Sequence, residues 1–178
     1  MDRHIPHFQE ELELLKTRLL EMGGLAEDRV RSAVRALVDR DYATVEKVLV
    51  SDEAINRLHI EIDDRCFKLR ALHQPMAVDL RAIVAAEKIN TDLERVGDLA
   101  INIAEAVGRY LQHPSVKELI DIPRMAIIAQ EMLRDALDAF VRRDTVLAQA
   151  VLDRDDELDA LKTQVFRDLL NHMLRDPA

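Results

Sequence analysis

Glycine and proline punctuate this chain so sparsely, at 4 Gly and 5 Pro in 178 residues, that long stretches hold nothing to stop a helix. Between the breakers, apolar residues recur at three and four, the period of one helix face. From Phe8 to Asp39 the stripe runs through Leu12, Leu15, Leu19, Met22, Leu25, Val30, Ala33 and Leu37. Gly23-Gly24 interrupts it, and a kink or a break between two helices is one reading. We read one long helix with a close neighbour at the glycines, because a residue without Cβ lets backbones approach. Arg40-Asp41 is a tight link with Asp41 as N-cap. A second helix is expected over Tyr42–Leu72, with Val45, Val48, Leu49, Ile55, Leu58, Ile62, Cys66 and Leu69 on its stripe, ended by Pro75. A third is expected over Met76–Gln112, closed by His113-Pro114, and would be on the order of 50 Å long. After a linker with Pro114, Ser115 and Pro123, a fourth covers Asp121–Arg142 and a fifth Thr145–Leu174. Helices of this length need antiparallel neighbours.

The chain also repeats itself. With Met22 set against Met125 and the offset held fixed, Ala26 meets Ala129, Arg31 meets Arg134, Ala33 meets Ala136, Ala36 meets Ala139 and Val38 meets Val141. Arg40-Asp41 then falls on Arg143-Asp144, Val48-Leu49 on Val151-Leu152, Asp52 on Asp155 and Leu58 on Leu161. No gap is needed across two helices and their turn. The expected fold is therefore all-α, two tandem three-helix-bundle repeats of long antiparallel helices. Residues 1–113 form the first repeat and 114–178 the second. The second stops at Asp176-Pro177-Ala178 without its last helix.

Composition narrows the function. Charged residues make up 33% against a usual 25% or so, while aromatics are 3% and Trp is absent. The net charge of −9 is opposite to what neutralising nucleic-acid phosphates requires, so no nucleic-acid partner is expected. An acidic surface suits cations or a partner with a basic patch. The single cysteine, Cys66, has no internal disulfide partner and reads as a core residue of an intracellular chain. The start Met1-Asp2-Arg3-His4-Ile5-Pro6 has no apolar leader, and no apolar run reaches the ~20 residues of a span. Direct membrane insertion is not expected.

Paired carboxylates are the one constellation with chemistry in it. Glu94 and Asp98 share a helix face at i, i+4, and Asn102 extends it by a turn. Asp52 and Asn56 have the same spacing, and the repeat places Asp155 and Asp159 at the equivalent points. Oxygen-rich pairs facing one another across two helices can hold a hard cation or iron. A solvated polar face is the other reading. The histidines do not form an enzyme site. None of His4, His7, His59, His73, His113 and His172 follows a Glu by three, as a di-iron bundle would require. Zinc-protease, nucleophile-elbow and phosphate-loop motifs are absent from the sequence. We therefore expect a binding protein with no catalytic residues and no organic cofactor. A carboxylate-metal enzyme ranks last.

The segments Gln74-Pro75-Met76-Ala77-Val78-Asp79-Leu80-Arg81 and Asp92-Leu93-Glu94-Arg95-Val96-Gly97-Asp98-Leu99-Ala100-Ile101-Asn102-Ile103-Ala104-Glu105 resemble the signature of the PhoU family. So do Phe8-Gln9-Glu10-Glu11-Leu12, Leu20-Glu21-Met22-Gly23-Gly24-Leu25 and Asp52-Glu53-Ala54-Ile55-Asn56. The resemblance covers essentially the whole chain. It implies a peripheral cytoplasmic repressor of the phosphate-starvation response, acting between a phosphate transporter ATPase and a sensor histidine kinase. It also implies metal clusters on Glu/Asp-x-x-x-Asp motifs. Glu94 and Asp98 match that motif, and Asp52/Asn56 and Asp155/Asp159 match looser pairs, so iron, zinc or another divalent cation is the expected ligand. The family's sixth helix, with a second copy of the motif, has no counterpart here. A metal-binding structural bundle without a signalling role is the alternative.

Without that helix, the second unit should leave Leu133, Leu137, Leu158, Leu161 and Val165 uncovered, whereas Leu93, Val96, Ala100, Ile103 and Val107 of the long third helix are buried in the first. Such a patch exceeds what monomers usually expose. A homodimer packed through the fourth and fifth predicted helices is expected.

Overall fold

The computed structural model describes residues 4–50, 53–73, 75–114 and 121–175, and all regular structure among them is α-helical. In chain order the helices are α1 (His4–Asp39), α2 (Tyr42–Leu49), α3 (Glu53–His73), α4 (Ala77–Tyr110), α5 (Asp121–Arg142) and α6 (Thr145–Arg175). Asp52, Gln74 and Ser115 lie outside the described residues.

The double glycine does not break α1. A Cβ on Gly23 would stand 2.2 Å from Cδ1 of Leu137, so α5 packs directly on the bare backbone there. Gly24, one residue on, has nothing within 4 Å. The long second helix expected from its stripe is instead two: α2 ends at Leu49, with Val50 as its cap, and α3 begins at Glu53. Ser51 and Asp52 are N-cap residues in type, and a new helix starting after them follows their chemistry. The stripe hid the break because Val48 and Ile55, on either side, are spaced by two full turns.

Both Arg-Asp turns are built alike. Arg40 and Arg143 take the left-handed conformation, with φ of 52° and 56°. The next amide donates back to close a six-residue loop, Asp41 to Ala36 and Asp144 to Ala139. This is a Schellman end, here made with arginine where glycine is usual. Each aspartate then caps the following helix: Asp41 accepts from the amide of Ala43, and Asp144 from those of Val146 and Leu147. A hydrogen bond from the Thr44 hydroxyl is the main cause holding the Asp41 carboxyl below its usual range.

The main core joins Leu15, Leu19 and Met22 of α1 to Ile55, Ile62, Cys66 and Leu69 of α3 and to Ile83 and Leu93 of α4. A smaller cluster at the other end joins Ala33 and Ala36 of α1, Val45 and Val48 of α2, and Ala104 and Val107 of α4. The core positions expected on the third predicted helix fall on α4. Leu93, Ala100 and Val107 are buried, and Val96 and Ile103 pack against the two clusters. Cys66 is fully buried, as expected, and burial pushes its thiol up to about 12.

Among the described residues α1 is the central helix, packed on α2, α3, α4 and α5, while α6 packs on α5 alone. The exposed patch expected on the second unit is therefore misplaced. Leu137 is buried and Leu133 packs against the main core, because α1 covers α5 at Gly23. On α6, Leu161 is buried and Leu158 and Val165 are half-buried, α5 being the helix they have beside them. The large apolar residues left exposed on this unit are others: Ile127 on α5, and Val146, Leu152, Phe166, Leu170, Met173 and Leu174 on α6.

Candidate metal face and the contact between repeats

Glu94 and Asp98 lie one turn apart on α4, the first half-buried and the second exposed. Of the three residues between them, Gly97 faces inward. A Cβ there would meet Cδ1 of Ile55 at 3.0 Å and Nη1 of Arg29 at 3.2 Å. The glycine thus lets the first turn of α3 close on α4 between the two carboxylates. Asn56, next to Ile55, is exposed on that turn. Asp52, outside the described residues, precedes it. Arg29 is buried at 6% exposure, so a cation from α1 lies beneath the same turn.

The second pair behaves differently. Asp155 and Asp159 are both exposed on α6. Asp159 accepts a hydrogen bond from Lys162 at 2.9 Å. That bond and the charge of Asp159, with Asp155 adding to it, raise the Lys162 pKa. A lysine already neutralises this face. Among the described residues no three acidic, histidine or cysteine side chains converge as a metal centre would require. Glu94 and Asp98 share one face of α4, with Ile55 of α3 packed against Gly97 beside them, while Asp155 and Asp159 lie on α6, which among the described residues packs on α5.

Two of the histidines meet, the rings of His7 and His73 lying edge to face with centroids 5.9 Å apart, and the others are dispersed among the described residues. His59 Nε2 lies 3.6 Å from Asp63, and His73 at the end of α3 packs its ring against Phe8. His113 offers its backbone carbonyl to Arg40.

Two polar features escape the sequence reading, the first although Asn90 falls on the apolar stripe between Ala86 and Leu93. Asn90 of α4 is fully buried and donates from Nδ2 to Oδ1 of Asp63 at 2.9 Å and to the carbonyl of His59 at 3.0 Å. Its Oδ1 and the Nδ1 of His59 are buried without partners. Glu27 of α1, 9% exposed, receives Arg31 of its own helix and Arg134 of α5. Arg31 and Arg134 are equivalent in the repeat, so both units grip one carboxylate where they meet.

The description "PhoU domain" fits the family model that matches residues 19–107 and again 122–178. A phosphate-specific transport system accessory protein PhoU homolog of Aquifex aeolicus is 38% identical over 167 residues, 94% of this chain and 76% of its own. One from Caulobacter vibrioides is 39% identical over 174 residues, 97% of this chain and 76% of its own. Among solved structures, PhoU from Pseudomonas aeruginosa superposes with a TM-score of 0.89 at 36% identity, over 96% of this chain and 82% of that one. The phosphate transport system regulatory protein PhoU from Streptococcus pneumoniae gives 0.85 at 28% identity, over 95% and 80%.

Proposed function

The chain belongs to the PhoU domain family, and from that premise we propose that it is a regulatory binding protein of phosphate uptake. It couples a phosphate transporter ATPase to a phosphate-responsive sensor histidine kinase, and it works by contact rather than catalysis. The observation that carries this reading is the naming of its relatives as accessory proteins of a phosphate-specific transport system, at identities that extend over nearly the whole chain. Among the described residues no helix is long and apolar enough to cross a membrane, which suits a cytoplasmic protein reaching the membrane through its partners. The immobilised chain is expected to retain the transporter ATPase or the sensor kinase from the same genome. Retention of neither, with metal still bound, would leave only the structural-bundle alternative.

Glu94 and Asp98, completed by Asp52 or Asn56, are the proposed ligands of a divalent cation or iron. Asp155 and Asp159 form a second, weaker pair already shared with Lys162. All these donors are oxygen, the chemistry that hard cations prefer. The bound cation would tie α3 to α4. Changing both Glu94 and Asp98 to Ala is expected to remove most of the metal that copurifies with the untagged chain. Unchanged metal content per chain would refute the assignment.

The protein is further proposed to act as a homodimer through α5 and α6, since α6 has one neighbour and buries, among its described side chains, only Leu161.

A further inference from the structure

The candidate metal face has a positive charge built in beneath it. Arg29 of α1 is buried, and its Nη1 lies 3.2 Å from where a Cβ on Gly97 would stand, at the inward residue between Glu94 and Asp98. Ile55 meets the same point at 3.0 Å, and Asn56 follows it on the first turn of α3. A side chain on Gly97 would push the guanidinium away, so the glycine admits the cation as well as the turn. An arginine does not lose its proton inside a protein, and a charge taken out of water needs carboxylates near it. The acid pair on α4 and the buried arginine therefore belong to one electrostatic unit.

The other side of Arg29 is open. It lines a cleft of about 500 Å³ between α1, α2 and α3, with Ala54 and Ile55 at one end and Asp28, Asp39 and Asp41 among its acids. The cleft leaves the guanidinium room to withdraw from Gly97 toward other carboxylates. The second repeat lacks this arrangement. The counterpart of Arg29 there is Met132, and the Asp155–Asp159 pair takes its cation from Lys162, a lysine beside it on the exposed surface of α6.

We propose that Arg29 is the resident cation of the Glu94–Asp98 face and sets its affinity for metal. It balances the carboxylates while the face is empty and opposes a second positive charge, so a metal ion binds only by overcoming that repulsion. The inference rests on the metal reading above and names the residue that regulates it. Arg29 is a positioning charge and not a ligand, because a guanidinium has no lone pair to donate. Burial makes the effect strong, since a fixed charge away from water is screened far less than one on the surface.

Mn²⁺ binding to the untagged full chain, freed of copurified metal, tests this by calorimetry. Arg29→Met, which places the second repeat's residue in the first, is expected to bind Mn²⁺ about tenfold or more tightly than the parent. Arg29→Lys, which keeps the charge, should stay close to the parent. The gain should vanish when Arg29→Met is combined with Glu94→Ala/Asp98→Ala, which places it at this face. Arg29→Gln makes the same comparison with a polar side chain if the methionine variant folds poorly. Equal affinity in the parent and the neutral variants overturns the role of Arg29 and leaves the metal face standing. An equal gain in Arg29→Lys also overturns it, since side-chain size and not charge would then be the cause. Parent and variants that all fail to bind Mn²⁺ overturn the metal reading, and this inference with it.

Discussion

Replacing Asn90 by Asp is expected to cost about 3–5 kcal/mol at neutral pH, a large part of the stability of a small domain. The expectation follows from what surrounds the side chain. Asn90 is fully buried, and its Nδ2 donates to two acceptors, Asp63 Oδ1 and the His59 carbonyl. In Asn90→Asp an oxygen replaces that donor. Two acceptors then face an acceptor, and a buried negative charge lies beside the Asp63 carboxylate. Burial and like charge both push the new carboxyl's folded-state pKa above its unfolded value near 3.9. A group whose folded pKa is raised contributes fully below the unfolded pKa and loses stability as pH rises through the folded one. The deficit should therefore be small near about pH 4 and grow by about 1.4 kcal/mol per pH unit until the folded pKa is passed. The protonated acid can still donate one hydrogen bond, which is why the low-pH form is tolerated. Urea midpoints of parent and variant across this range measure the effect. Asn90→Ala separates lost packing from buried charge, because its deficit should not change with pH in this way. An Asn90→Asp protein as stable as the parent at pH 8 would show that the site is wetter than its burial implies.

The same residue shows where sequence reading stops. Asn90 lies on the stripe of its helix that runs Ile83, Ala86, Asn90, Leu93 and Gly97, so its spacing marks it as inward-facing. What the spacing does not give is its partner, Asp63, 27 residues away on another helix. Helix ends, by contrast, are local. Pro75, Pro114 and the two Arg-Asp turns place α4, α5 and α6 to within a residue or two, because proline removes a donor and aspartate offers an acceptor. The break between α2 and α3 is local too, but the apolar stripe runs through it in phase, and periodicity outweighed the helix-starting residue types Ser and Asp at 51 and 52. The left-handed Arg40 and Arg143 had no signal, since glycine is the residue expected there; such a conformation costs an arginine about 1–2 kcal/mol. At the candidate site, the Glu94–Asp98 pair is legible as an i, i+4 spacing. The role of Gly97 is not, because it depends on Ile55 and Arg29 arriving from two other helices. The exposed face of the second unit failed for the same reason. The spacing of Leu133 and Leu137 defines a face, but only the packed structure shows that α1 covers it.

The tightest point of that cover is the contact at Gly23, and a double-mutant cycle should expose it. Leu137 reaches into the space left by the missing Cβ of Gly23, where an added methyl would stand 2.2 Å from its Cδ1. Gly23→Ala is therefore expected to destabilise by about 1–3 kcal/mol through overpacking, despite alanine's better helix propensity. At Gly24, with open space around it, the same change should stabilise by up to about 1 kcal/mol. Leu137→Ala alone should cost about 2–5 kcal/mol, since Leu137 is 6% exposed and its loss leaves a void against α1. In the double variant the new methyl on α1 occupies part of that void and no longer meets Leu137. The combined loss should then fall short of the two single losses by about 1 kcal/mol or more. Glu27, one turn along α1, and Arg134, one turn back along α5, frame the same contact with an ion pair, so α5 keeps a polar tether while its apolar contact is altered. Chemical denaturation of the four proteins decides the matter. Additive losses would mean that α1 and α5 are free to separate at Gly23, and that Leu133, Phe140 and the Glu27–Arg134 pair hold the second repeat to the first.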